Sequence, residues 1–174
     1  MHSTMPSRRP PMTRSNPTSW AANVPSEHEE QTRVIFWWRH VGCLHWRLPQ
    51  HLLFAIPNGG KRGKITAARL SAEGVMPGVP DLFLAVTWCP GDKKWPGLWI
   101  EMKKRAGGRL STAQQDMIYF LQKQGYQVAV CYGADQAVAA INSYLTTLEE
   151  NGWPGGNGAF DAETGEHIPH CGHR

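Results

Sequence analysis

The sequence predicts an α/β fold in which a small mixed sheet is flanked by helices. Helix-like and strand-like patterns follow one another in the order helix, strand, helix, strand, strand, helix, strand, helix. Two of the strands form a hairpin around a Gly/Pro-rich loop within 78–104, and helices separate the others. The 174 residues are enough for one domain with tails.

The first helix is predicted to run from Ser26 to about Val41. Ser26 and Glu29 have the spacing of a capping box, which gives Glu29 a structural role. One stripe at helical spacing faces inward and contains Glu27, Gln31, Val34 and Trp38.

A short apolar strand is predicted at Leu52–Ile56, and a helix is predicted at Ile65–Ala72. Between them, a Gly turn leads into three cations, Lys61, Arg62 and Lys64. Cations on such a turn are typical of a surface that contacts phosphates, although solvated cations near a helix start are also common. We favour nucleic-acid contact at these three residues.

The stretch Gly78–Lys104 carries the candidate site. Asp81 opens the first hairpin strand directly after Pro80, and the second strand contains Glu101 and Lys103. Because side chains alternate across a strand, Glu101 and Lys103 share one face, towards which Asp81 can converge. Two carboxylates at one point suit Mg²⁺ or Mn²⁺, which prefer oxygen ligands and pair with phosphate substrates. The alternative for Glu101 and Lys103 is a solvated strand face.

The loop between these two strands holds Trp88 and Trp95 beside two lysines. Exposed tryptophans next to cations can stack on unpaired bases. The same side chains can also staple the loop to the body of the protein. The sequence leaves both alternatives open.

The rest of the fold is predicted to be two helices around one strand. A basic stretch precedes the first of these helices, and we expect its cations Lys104, Arg105 and Arg109 to contact nucleic acid. That helix begins with a capping box at Ser111, and its buried stripe contains Gln114, Met117, Ile118 and Leu121. An apolar strand at 126–132, predicted to be central, precedes a last helix at 134–148.

Charge is distributed unevenly along the chain, whose formal net charge is +4. Residues 1–25 are predicted to be a disordered basic arm, and 149–174 a Gly-rich, acidic, flexible tail. Residues 27–148 carry a net charge of +5, which suits a polyanionic partner. The four cysteines lack CxxC spacing and no segment could span a membrane, so we expect a cytoplasmic protein without a membrane partner.

Four segments together resemble the PD-(D/E)xK nuclease superfamily, and in finer detail its VRR-NUC (virus-type replication-repair nuclease) branch. They read IPNGGKR, GVMPGVPDLFLA, GLWIEMKK and GRLSTAQQDMIYFLQKQGYQVAV. The resemblance covers roughly 26–148, which would be the nuclease domain. It implies a restriction-endonuclease-like α-β-β-β-α-β core.

The resemblance also implies a Mg²⁺-dependent DNA endonuclease, with Mn²⁺ able to substitute. Asp81 and Glu101 would hold the metal together with the backbone carbonyl of Met102. Lys103 would position the attacking water, help to deprotonate it, or stabilise the phosphate oxygens.

Two further positions match the family pattern. A metal-binding glutamate on the first helix corresponds to Glu27, with Gln31 one turn later, and Glu30 is the alternative. Gln114 matches a glutamine near the family's active site, although its capping box supplies a competing structural explanation.

The implied substrate is branched or flapped DNA, because stand-alone members of this branch are associated with Holliday junctions and form homodimers. A phage or bacterial setting in replication, recombination or repair is expected, in a bacterial or phage-infected cell. Two alternatives are a non-catalytic DNA-binding module of the same fold and a restriction-type nuclease that reads a specific sequence.

Overall fold

The computed structural model describes residues 24–57 and 64–155, and of residues 64–67 it describes the backbone alone. Lys61 and Arg62 lie outside the described residues. So do residues 1–23 of the predicted arm and 156–174 of the predicted tail.

Four helices, a short 3-10 turn at Gln50–Leu52 before the first strand, and four strands make up the described fold. Helix α1 comprises Glu27–Trp37, a π-helical turn at Trp38–Gly42 and a last α-helical turn at Cys43–His45. The other helices are α2 (Lys64–Ala72), α3 (Thr112–Lys123) and α4 (Ala134–Glu150). The strands are β1 (Leu53–Ala55), β2 (Leu82–Leu84), β3 (Leu98–Lys103) and β4 (Gln127–Tyr132). The predicted order of elements is confirmed.

The four strands form one mixed sheet in the order β1-β2-β3-β4. The two pairs that involve β2 are antiparallel, whereas β3 and β4 are parallel. The predicted small mixed sheet is therefore confirmed, but the prediction of a central β4 is wrong. Within the described residues β4 pairs with β3 alone and lies at the sheet edge, where helix packing covers its apolar residues.

One face of the sheet forms the main core with α1 and α4. Leu82, Leu84, Ile100 and Met102 point to this face, and all are at most 1% exposed. Burying each such side chain contributes about 1.5–3 kcal/mol. The buried indole of Trp38 on α1 donates from Nε1 to the carbonyl of Gln50, 2.8 Å away, which ties α1 to the turn before β1.

The opposite face carries a row of aromatic rings that crosses the sheet. Phe54, Phe83, Trp99 and Tyr126 follow one another with centroid separations of 5.8, 4.4 and 6.2 Å. Helix α3 packs on this side, and its predicted buried stripe is only half-buried (Gln114, Met117, Ile118 and Leu121). The two faces of the sheet are thus covered to different extents.

The folded region extends past the predicted boundary at residue 148. Helix α4 continues to Glu150, and Trp153 beyond it is 5% exposed. Trp88 in the hairpin loop donates from Nε1 to the carbonyl of Asn151, 2.9 Å away. The structure thus favours the stapling alternative for Trp88. None of the described helices is both long and apolar enough to cross a membrane.

Candidate active site

The hairpin brings Asp81, Glu101 and Lys103 to one end of the sheet. Leu82 pairs with Ile100 in the antiparallel register of β2 and β3, so Asp81, one residue earlier, lies opposite Glu101. The backbone N–H of Met102 donates to Asp81 Oδ2 over 2.8 Å. This bond fixes the Asp81 carboxylate against β3.

Glu101 lies in the centre of this cluster and is 1% exposed. Its Oε1 accepts hydrogen bonds from Lys103 Nζ at 2.6 Å and from the side-chain amide of Gln114. Its Oε2 is buried and has no hydrogen-bond partner within the described part of the chain. A buried carboxylate oxygen without a partner is destabilising, so its presence suggests a ligand at this point.

The electrostatics of the cluster favour a cation. The pKa of Glu101 is raised to about 7, chiefly by burial and in part by the nearby carboxylates of Asp81 and Glu27, against the lowering effect of Lys103. Burial also raises the pKa of Asp81, although the Met102 N–H opposes the change. Burial and neighbouring negative charges make the ionised form of these carboxyl groups unfavourable. A cation bound beside them would stabilise that ionised form.

Glu27 and Glu30, the two candidates on α1, have different surroundings. Glu27 Oε1 accepts from the backbone N–H of Lys104, directly after β3, over 3.3 Å. Glu30 is buried, and its carboxylate accepts from the Arg105 guanidinium at 2.6 Å and from the N–H of Ala134 at 2.9 Å. Glu30 therefore joins α1 to the start of α4, whereas Glu27 is the one that influences the Asp81 and Glu101 carboxylates.

The cations after β3 have different roles. Lys104 and Arg109 are exposed. Arg105 is committed to Glu30 and to Asp135, whose Oδ2 lies 2.8 Å from Arg105 Nη2. Two carboxylates already balance its charge. Through them, Arg105 connects α1 with the first turn of α4. Of the predicted cations before β2, Lys64 begins α2, and its side chain lies outside the described residues.

Gln114 closes the predicted capping box and also contacts Glu101. Its Oε1 accepts from the N–H of Ser111 and closes the capping box of α3, while its Nε2 donates to Glu101 Oε1. The two ends of one amide thus join the helix start to the buried carboxylate.

Gly78 is a packing position beside the candidate site that sequence reasoning missed. Its φ is +86°, and a Cβ there would overlap the carbonyl of Ala113 in the first turn of α3. A residue without a side chain is needed so that the segment leading to Asp81 can pack against the helix that carries Gln114. The glycine itself was visible in GVMPGVPD, but a glycine in a loop gives no sign of which backbone lies against it.

Metal binding is compatible with the chemistry of these donors. Among residues 24–57 and 64–155, no three His, Cys, Asp or Glu side chains lie close enough together to hold a metal ion. Mg²⁺ does not need such a cage, because it keeps several waters and is commonly held by one or two carboxylates. Asp81 and the partnerless oxygen of Glu101 are two suitable ligands.

The sheet, its flanking helices and the Asp81–Glu101–Lys103 cluster define the restriction-endonuclease-like class of nuclease folds. The model of the VRR-NUC domain family matches residues 25–135. The chain therefore belongs to the VRR-NUC family, a nuclease family, as the resemblance indicated.

Comparison with solved structures agrees with this assignment. A chain described as a VRR_NUC domain protein is 28% identical and superposes with a TM-score of 0.56. The alignment covers 70% of this chain and 89% of the other. No match was found among curated proteins.

Proposed function

We propose that this protein is a metal-dependent endonuclease that hydrolyses phosphodiester bonds in DNA. The observation that carries the proposal is the buried cluster at the end of β2 and β3. It places Asp81, Glu101 and Lys103 together and leaves Glu101 Oε2 without a partner in the described residues. A binding module would gain nothing from this destabilising arrangement.

Asp81 and Glu101 would hold Mg²⁺, or Mn²⁺ in its place, together with the backbone carbonyl of Met102 and with Glu27 nearby. When bound, the ion would neutralise charge on the phosphate and lower the pKa of a coordinated water. The Met102 N–H orients Asp81, and Gln114 orients Glu101, so both carboxylates are held in place before the ion binds.

Lys103 supplies the cation of the site. Its Nζ lies 2.6 Å from Glu101 Oε1 and its side chain is 7% exposed. An ammonium held in this way can donate to a phosphate oxygen or to the attacking water once that oxygen enters the site. A charge-assisted donor in a water-poor site stabilises developing negative charge more than it would in bulk water.

The chain carries cations that are suited to the DNA backbone. Lys104 and Arg109 are exposed directly after the catalytic strand. Residues 31–72 contain seven Lys and Arg residues and no Asp or Glu. This segment includes the predicted contacts Lys61, Arg62 and Lys64, and such a charge surplus attracts phosphates without sequence preference.

For the substrate we propose branched or flapped DNA, cut by a homodimer in phage or bacterial replication, recombination or repair. The half-covered aromatic face of the sheet and the exposed rings of Tyr119 and Phe120 on α3 support a further contact surface.

The test is cleavage of end-labelled four-way junction, flap, duplex and single-stranded DNA with Mg²⁺, Mn²⁺ or EDTA. We expect cutting that needs the metal and is lost in both Asp81→Ala and Lys103→Ala. DNA binding without cutting, unchanged in both variants, would instead establish a non-catalytic binding module. Cutting confined to one base sequence would establish a restriction-type nuclease.

A further inference from the structure

Strand β4 has one row of backbone groups that no other strand of the described residues meets. The N–H groups of Gln127 and Gly133, at its two ends, donate over 3.3 and 3.2 Å to carbonyl groups directly before β3 and at its end. Because successive residues of a strand direct their backbone groups to opposite sides, those of Val128 and Val130 are directed away from β3. They form the outer edge of the sheet.

This outer edge lacks the features by which proteins usually prevent strands from associating. The six residues of β4 include no proline and no charged side chain. The N–H of Tyr132, at the end of the row, donates to the side-chain oxygen of Gln136 over 2.8 Å. The opposite edge of the sheet differs, because β1 has three residues and Pro57 follows it closely. An unprotected edge strand is a template for pairing with a further strand.

A groove of about 240 Å³ runs along the same edge, between β4 and α4. Its walls include residues 127–129 of the strand and three small side chains of the helix, Ala140, Ser143 and Thr147. Small side chains allow the axis of a second helix to approach closely. A strand added to β4 could therefore bring a helix of its own to this face of the sheet.

The surface around the edge carries almost no charge. Asp135 is the one charged residue within 126–148, and its Oδ2 lies 2.8 Å from Arg105 Nη2. Segment 31–72, in contrast, contains seven cations and no acid. Contacts with DNA depend on lysine and arginine, whereas the core of a protein–protein contact is poor in charged residues. The edge is therefore suited to an uncharged protein surface.

We propose that the β4 edge binds the β4 edge of a second copy of this chain, antiparallel about a two-fold axis at Ala129. Val128 would then pair with Val130 of the partner subunit, so that the outward backbone groups of both valines are bonded. The α4 helices of the two copies would pack beside each other on one face of the combined sheet. A second copy fits because this arrangement is complementary to itself and both surfaces lack charge.

This inference rests on the proposed nuclease function and assigns a surface to its homodimer. The strand order at the centre of the combined sheet would be β3-β4-β4-β3, so the two β3 strands would lie three strand spacings apart, about 14 Å. Because the paired strands run in opposite directions, the two active sites would lie towards opposite ends of the sheet. Each site would then meet a different strand of one branched DNA.

Disulfide cross-linking tests the register. Ala129 would lie opposite its own copy with a Cα separation of about 4.5 Å, which permits a disulfide. In a Cys131→Ala background under mild oxidation, we expect Ala129→Cys to form a covalent dimer. Tyr132→Cys is the matched control, because Tyr132 is exposed on the same strand but its two copies would lie about 20 Å apart. The background variant alone measures cross-linking through the other cysteines.

Analytical ultracentrifugation of the full chain measures the dissociation constant of the dimer. Ser143→Arg should raise it about tenfold or more, because the exposed Ser143 lines the groove and two like charges would meet there. Thr146→Arg is the control, since it adds the same charge at an exposed position of α4 that does not line the groove. We expect it to change the constant by less than about twofold.

Three results would overturn the edge proposal. They are a wild type that remains monomeric, Ala129→Cys that cross-links no better than Tyr132→Cys, and equal effects of Ser143→Arg and Thr146→Arg. Cleavage of a labelled four-way junction with Mg²⁺ separates this proposal from the nuclease proposal. If Ala129→Cys cross-links but the wild type does not cut, the nuclease proposal fails and the edge contact stands. If the wild type cuts as a monomer, the edge contact fails and the nuclease proposal stands.

Discussion

Two buried glutamates, each paired with a cation, lie near the end of β3, and their carboxylates behave in opposite ways. Glu101 contacts Lys103 at 2.6 Å, and Glu30 contacts Arg105 at the same distance. Burial raises the pKa of Glu101 to about 7. The hydrogen bond from Arg105, in contrast, lowers the pKa of Glu30 below its ordinary value.

The difference follows from how completely each carboxylate is bonded. Both oxygens of Glu30 have partners, since Oε1 accepts from Arg105 and Oε2 from the N–H of Ala134. Glu101 has one partnerless oxygen and other carboxylates nearby. A buried carboxylate whose two oxygens both have partners joins elements of the fold, whereas one with a partnerless oxygen retains the capacity to bind a cation.

The largest expected effect comes from Glu101→Gln. We expect cleavage to fall about 10³-fold or more, because a metal ligand worth several kcal/mol in the transition state is removed. The metal-free protein should unfold at an equal or higher temperature at pH 8, because a buried negative charge is gone. Cleavage rates and thermal unfolding in EDTA measure the two effects, and a large loss of stability would contradict this interpretation of Glu101.

The second prediction concerns the contact between Glu30 and Arg105. Glu30→Gln should destabilise the protein by about 1–2 kcal/mol, because it weakens the charge-assisted hydrogen bond from the partly exposed Arg105 at the joint between α1 and α4. Urea unfolding measures the change. Asp135→Asn is the control and should have little effect, since the Asp135 side chain is 83% exposed. Equal losses of stability in both variants would mean that Glu30 does not hold α1 against α4.

Gly78→Ala tests the packing of the segment before Asp81 against the first turn of α3. The new Cβ would overlap the Ala113 carbonyl, and a φ of +86° is unfavourable for alanine. We expect a loss of about 1–3 kcal/mol in stability and a reduced kcat. Gly74→Ala is a matched control, because Gly74 also has a positive φ, of +90°, but has nothing within 4 Å of the Cβ position. Similar kcat values in the two variants would show that the packing against α3 is unimportant.

The smallest predicted effect is a difference in pH dependence between the two glutamates. Between its ordinary pKa of 4.5 and its folded pKa of about 7, Glu101 holds a proton in the folded state and releases it on unfolding. Stability of the metal-free protein should therefore fall as the pH rises through this window, and Mg²⁺ should restore it. For Glu30, whose folded pKa is lowered, the contribution is present above pH 4.5 and is lost as the pH falls through the folded pKa.

Unfolding temperatures of the wild type, Glu101→Gln and Glu30→Gln across pH separate these contributions. Glu101→Gln should flatten the decline between pH 4.5 and 7. Glu30→Gln should flatten the loss at acid pH. A wild-type curve without a decline in the first window would contradict the raised pKa of Glu101.

Patterns that depend on neighbouring residues could be predicted from the sequence. The capping boxes at Ser26 and Ser111, the order of the elements and the hairpin with Asp81 and Glu101 all follow from spacing within a few residues. The family assignment also followed from local motifs. The predicted roles of Asp81, Glu101, Met102, Lys103, Glu27 and Gln114 in catalysis, and of Mg²⁺, remain predictions that the experiments above test.

Other features depend on which distant segments meet. No local pattern indicated that β4 lies at an edge, that Glu30 reaches Arg105 seventy-five residues later, or that Gly78 packs against α3. It could not distinguish Glu27 from Glu30 as the site glutamate, because both occupy the first turn of one helix. Periodicity decides which side of an element is buried, whereas the partner of a buried charge is decided only when the whole chain packs.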